Sequence, residues 1–112
     1  KGDWKDAAKS YREYLKHSGS GPVADAVRRS LAYALESDKQ YLEAAKLYEQ
    51  LVGVFDRESS GEFLAGAARC YMEAGKPADA KPRLERLADE FGETSYAQRA
   101  RLTLGELAVS KS

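Results

Sequence analysis

Apolar side chains recur along this chain at three- and four-residue intervals, the spacing that places them on one face of a helix. The first such run puts Trp4, Ala7, Ala8, Tyr11, Tyr14 and Leu15 together and ends in the turn-rich stretch His17-Ser18-Gly19-Ser20-Gly21. Pro22 fits the first turn of a second helix, where its missing N–H costs nothing. That helix carries Val23, Val27, Leu31, Ala34 and Leu35 and stops near Ser37-Asp38-Lys39. A third carries Tyr41, Ala44, Ala45, Tyr48, Leu51, Val52 and Phe55, followed by a polar linker Asp56-Arg57-Glu58. Ser59 with Glu62 reads as a capping box opening a fourth helix, with Phe63, Leu64, Ala67, Ala68 and Tyr71 inward and Gly75 as the left-handed stop. A fifth starts near Pro77 with Ala80, Leu84, Leu87, Ala88 and Phe91, stopped by Gly92. Ser95 with Gln98 reads as a second capping box, opening a sixth helix with Tyr96, Ala100, Leu104, Leu107 and Ala108. Pro82 falls inside the fifth helix and crowds the Ala78 carbonyl, which predicts either a late start after Pro77 or a kink near Ala78.

Composition supports the helical reading. Ala, Glu, Lys, Leu and Arg account for 59 of the 112 residues, whereas Ile is absent and Val plus Thr total seven. Strong helix formers are abundant and β-branched residues scarce, so a sheet has little to build from. The expected fold class is all-α, with about six helices whose short connections make neighbours antiparallel. The length suits a single domain over 1–112.

A repeat organises these helices. Trp4-Lys5-Asp6-Ala7-Ala8-Lys9-Ser10-Tyr11 matches Tyr41-Leu42-Glu43-Ala44-Ala45-Lys46-Leu47-Tyr48 at a shift of 37 residues. Glu43-Ala44 and Glu49-Gln50-Leu51 match Asp79-Ala80 and Glu85-Arg86-Leu87 at a shift of 36. A two-helix unit of that period is the signature of a solenoid, in which stacked hairpins bury a core that none could bury alone. Ala44 and Ala80 occupy equivalent places and are expected at the closest approach to the preceding helix.

Leu64, Ala67-Ala68, Tyr71, Gly75, Ala80 and Leu84 resemble the tetratricopeptide repeat pattern. The resemblance implies a right-handed α-solenoid arranged as helix B, then A-B, A-B, then A. It also implies a concave groove lined by each A helix. The chain departs from the pattern where Lys39 stands in place of the turn glycine and Leu84 in place of an aromatic. The segment from Phe91 to Leu107 is similar to bacterial envelope proteins of this family, of the Tol–Pal coordinator and outer-membrane assembly lipoprotein type. That similarity implies a periplasmic or envelope setting.

Charge narrows the function. Lys plus Arg and Asp plus Glu are each 18, giving zero formal net charge, which argues against a general nucleic-acid binder. The longest apolar run, Leu31 to Leu35, is far short of a membrane span. One Cys and one His form no metal cluster, and no phosphate loop, nucleophile elbow or HExxH occurs. No cofactor and no catalytic residue is therefore assigned. Cys70 shares a stripe with Phe63 and Ala67 and reads as core, and His17 reads as a cation at a helix C-terminus. Tyr11, Tyr48 and Tyr71 recur at hairpin positions and read as packing.

The candidate binding residues lie on the A helices. Ala26, Arg29, Tyr33 and Ser37 follow one stripe on the second helix, and Glu62, Ala65, Gly66, Arg69 and Glu73 follow one on the fourth. From these, Arg29, Tyr33, Ser37, Glu62, Arg69 and Glu73 are the expected partner contacts. Arg offers a planar fork for carboxylates and Tyr offers contact area at low entropic cost. Arg29, Tyr33 and Arg69 are expected to be solvent-exposed and without buried partners. The alternative is an ordinary solvated face. A carboxylate clamp of the chaperone-tail-binding type needs Asn, which the chain lacks.

The expected function is a non-enzymatic scaffold that binds a protein or peptide in the groove. The alternative is a spacer or self-association segment, using Leu102, Leu104, Leu107 and Val109 on the sixth helix. The mid-repeat start and end and the absence of an opening Met suggest excision from a longer solenoid.

Overall fold

The computed structural model describes residues 3–110 and contains six helices: α1 (Trp4–His17), α2 (Pro22–Ser37), α3 (Tyr41–Leu51), α4 (Arg57–Glu73), α5 (Pro77–Glu90) and α6 (Ala97–Ser110). Each packs chiefly on its neighbours in sequence, and the body extends 47 × 28 × 21 Å. That elongated stack of helical hairpins is an α-solenoid.

The repeat is visible in the packing. Ala44, Ala45, Tyr48, Leu51, Leu64, Ala67, Ala80 and Leu87 are all essentially inaccessible. Ala44 and Ala80 are both fully buried, as expected for small residues at a close approach. α2 and α4 end in the same cap. Gln40 N–H donates to Leu35 O at 2.8 Å and Lys39 N–H to Glu36 O at 3.0 Å. In α4, Lys76 N–H donates to Tyr71 O at 2.8 Å and Gly75 N–H to Met72 O at 3.0 Å. This Schellman arrangement needs a left-handed residue, supplied by Lys39 at φ 64° and by Gly75 at φ 77°.

Several boundaries differ from the sequence reading. α3 ends at Leu51, because Gly53 takes φ 88° and turns the chain. Val52 and Phe55 still pack on the core, but from a turn, which is why their spacing looked helical. α4 begins earlier than expected. Asp56, not Ser59, is its N-cap, and its carboxylate accepts from Ser59 N–H at 2.8 Å. The Ser95–Gln98 box is also corrected, since Ser95 turns its N–H and hydroxyl to the Glu58 carboxylate and α6 opens at Ala97. α5 starts at Pro77 itself, so the late start does not occur, and Pro82 is accommodated inside the helix. Its cap is Phe91, one residue before Gly92.

Candidate functional site

Two polar clusters tie α2 to α4, and both involve predicted groove residues. In the first, Glu62 accepts from Arg29 Nη2 at 3.1 Å and from the Tyr33 hydroxyl at 2.5 Å, while Arg29 Nε donates to the Tyr33 oxygen at 3.1 Å. The Arg29 guanidinium also lies 5.4 Å from the ring centres of Phe55 and Phe63, within cation–π range. Burial and the Glu62 contact push the Tyr33 phenol above its ordinary value.

In the second cluster, Glu36 accepts from Arg69 Nε at 2.5 Å, Arg69 Nη2 at 2.9 Å and the Tyr48 hydroxyl at 2.7 Å. Burial alone would push the Glu36 carboxyl up, but the Arg69 and Tyr48 hydrogen bonds outweigh it and hold the carboxyl below the usual range. Burial and the same contact push the Tyr48 phenol far above its ordinary value. Cys70 lies next to this cluster. It is fully buried in the core, and burial with nearby Glu36 pushes its thiol up to about 12.

These contacts correct the expectation of free groove side chains. Arg29 and Tyr33 are half-buried and engaged, with the Tyr33 ring 5.9 Å from that of Tyr48. Arg69 is exposed, but Glu36 occupies its fork. Glu62 is half-buried between Arg29 and Tyr33. Gly66 is not on the open face at all. It is buried, and a side chain there would meet the Tyr48 ring at 3.0 Å. Ser37 sits exposed at the end of α2, apart from both clusters, and Glu73 is exposed on α4.

The pairs share a spacing close to one repeat. Arg29–Glu62 and Glu36–Arg69 are each 33 residues apart, Glu49–Arg83 is 34 and Arg57–Glu93 is 36. Opposite charges on successive repeats therefore stitch neighbouring hairpins, a signal that a search confined to single helix stripes misses.

A cavity of about 450 Å³ opens between α4, α5 and α6. Its floor is Ala65, Ala68, Leu84, Leu87 and Ala100. Met72 and Tyr96 form walls, and Arg69, Glu73, Arg99, Thr103 and Glu106 line the rim. Of the predicted residues it brings together only Arg69 and Glu73. Arg99, Thr103 and Glu106 were absent from the sequence reading, yet Ala65, Arg69 and Met72 map onto them at a shift of 34, so extending the stripe onto the sixth helix reveals them. Among the described residues, Arg99, Glu73 and Glu106 have no ion-pair partner. No helix is long and apolar enough to cross a membrane among the described residues.

Fold and site together define a helical-hairpin repeat protein with a partly apolar cavity between α4, α5 and α6. Two tetratricopeptide repeat models match, one over residues 35–104 and the other over residues 1–62. The chain belongs to the tetratricopeptide repeat family, whose members generally mediate protein–protein interactions and act as non-enzymatic scaffolds. Comparison with curated proteins and with solved structures found no match.

Proposed function

We propose that this protein is a non-enzymatic scaffold that binds a segment of another protein on its concave face, with the α4–α6 cavity as the contact centre. The observation that carries this reading is an apolar floor beside Glu73, Arg99 and Glu106, rim charges with no ion-pair partner among the described residues. Pockets of about 300–1,000 Å³ with few polar groups are typical of binding sites. Glu73 and Arg69 keep the roles the sequence suggested, as rim contacts. Arg29, Tyr33 and Glu62 act mainly by holding α2 against α4, and Ser37 lies at the margin. The envelope setting suggested by Phe91 to Leu107 belongs to the same reading.

Replacing Arg29, Tyr33 and Arg69 together is a poor test, because it dismantles both inter-helix clusters. Ala65→Gln is better. Ala65 is a half-buried floor residue, and a bound segment would have to desolvate the new amide. The protein segment captured by the parent chain should bind this variant about tenfold or more weakly, with unchanged helical content. Equal binding would remove the cavity from the function.

A second reading rests on α6, where Leu102 is 54% and Val109 74% exposed. Self-association through that face predicts a concentration-dependent mass by sedimentation that Leu102→Glu abolishes. A constant monomer mass would exclude it.

A further inference from the structure

The rim charges of the α4–α6 cavity are ordered along its length. The start of α6 lies beside the start of α4: Ser95 N–H donates to Glu58 at 3.2 Å, and Arg57 pairs with Glu93. Both helices are separated by one antiparallel helix, α5, so they run in the same direction. Along that shared direction α4 presents Arg69 and then Glu73, and α6 presents Arg99 and then Glu106. Among the side chains that line the trough, the basic ones therefore lie toward one end and the acidic ones toward the other. Glu36 already compensates Arg69; among the described residues that line the trough, Arg99 at one end and Glu73 and Glu106 at the other have no ion-pair partner. The floor between them is apolar.

We infer that this trough selects an extended peptide in one polarity, with an acidic side chain at Arg99, apolar side chains over Ala68, Leu87 and Ala100, and a basic side chain at Glu73 and Glu106. Complementary charge fixes register and orientation, because the reversed peptide places like charges together. Seven residues separate Arg99 from Glu106, which is about 10 Å along a helix. An extended chain covers that in about three residues. The acid and the base therefore lie about three positions apart, with apolar residues between. This inference rests on the proposed groove function and adds the chemistry of its ligand.

The experiment is selection from a displayed random-peptide library on the full chain. The parent should enrich an acid and a base about three residues apart around apolar residues, in one order only. The charge-exchanged variant carrying Arg99→Glu, Glu73→Arg and Glu106→Arg should enrich the same spacing with the signs reversed. These side chains are exposed and have no ion-pair partner among the described residues, and circular dichroism checks that the variant is folded. Enriched peptides that Ala65→Gln rejects, but that show no charge order, would overturn the polarity while leaving the groove function standing. No enrichment on the parent chain would overturn both.

Discussion

Tyr48 joins the packing of the fold to the polar cluster between α2 and α4. Its ring is fully buried, stacked 6.2 Å from Phe63, and its hydroxyl reaches Glu36. Gly66 exists in the space that this ring leaves. Ala normally exceeds Gly in a helix by about 1 kcal/mol. Here a Cβ would meet three ring atoms at 3.0–3.1 Å, and the ring is held at both ends. Gly66→Ala should therefore lower stability, by about 1 kcal/mol net of the helix gain, read from the urea midpoint. A raised midpoint would show that the ring gives way. Glu36 links stability to pH. Its folded carboxyl titrates below the unfolded value of about 4.3. Its contribution is therefore complete above that value and is lost as pH falls through the lower folded one. Glu36→Gln should cost about 1–2 kcal/mol near neutral pH, and the gap to the parent should narrow below about pH 4. A gap equally wide at pH 3 and pH 7 would contradict this role.

At the scale of the element, the caps decide which helix ends were legible. Pro22 and Pro77 act through their fixed φ and Gly75 through its freedom to take a positive φ, so sequence alone places α2, α5 and the end of α4. Val52 and Phe55 misled because they keep apolar spacing across the Gly53 turn. Asp56 was missed because Ser59 and Glu62 offered a competing cap three residues further on. Lys39 shows the opposite case, an L residue placed where the repeat pattern asks for glycine. It is exposed at φ 64°. Lys39→Gly should relieve a left-handed cost of about 1–2 kcal/mol, partly offset by added freedom of the unfolded chain. The expected net gain is about 1 kcal/mol, seen as a higher denaturation midpoint. An unchanged midpoint would mean that the cap carries no strain. Ala80, fully buried where α5 meets α4, should behave oppositely. Ala80→Leu overpacks that contact and should cost about 1–3 kcal/mol. No loss would place Ala80 outside the hairpin contact.

The whole molecule is an elongated stack in which neighbouring repeats are joined by apolar contacts and by charge pairs about one period apart. Periodicity made the stack readable, since 36 residues separate equivalent helices. The candidate site was only half readable. Arg69 and Glu73 lie at the cavity, but the partners that engage Arg29 and Tyr33 come from the next repeat and the one that engages Arg69 from the preceding repeat. Arg99, Thr103 and Glu106 escaped because the sixth helix was read for its apolar residues alone. On the proposed function, this protein meets its partner at the cavity between α4 and α6. The most direct measurement compares the affinity of one library-selected peptide for the parent, for Ala65→Gln and for Leu102→Glu. A loss of about tenfold or more is expected for Ala65→Gln, with parent-like binding for Leu102→Glu. Parent-like binding by Ala65→Gln with a loss in Leu102→Glu would contradict the proposed function and place the contact on the outer face of α6.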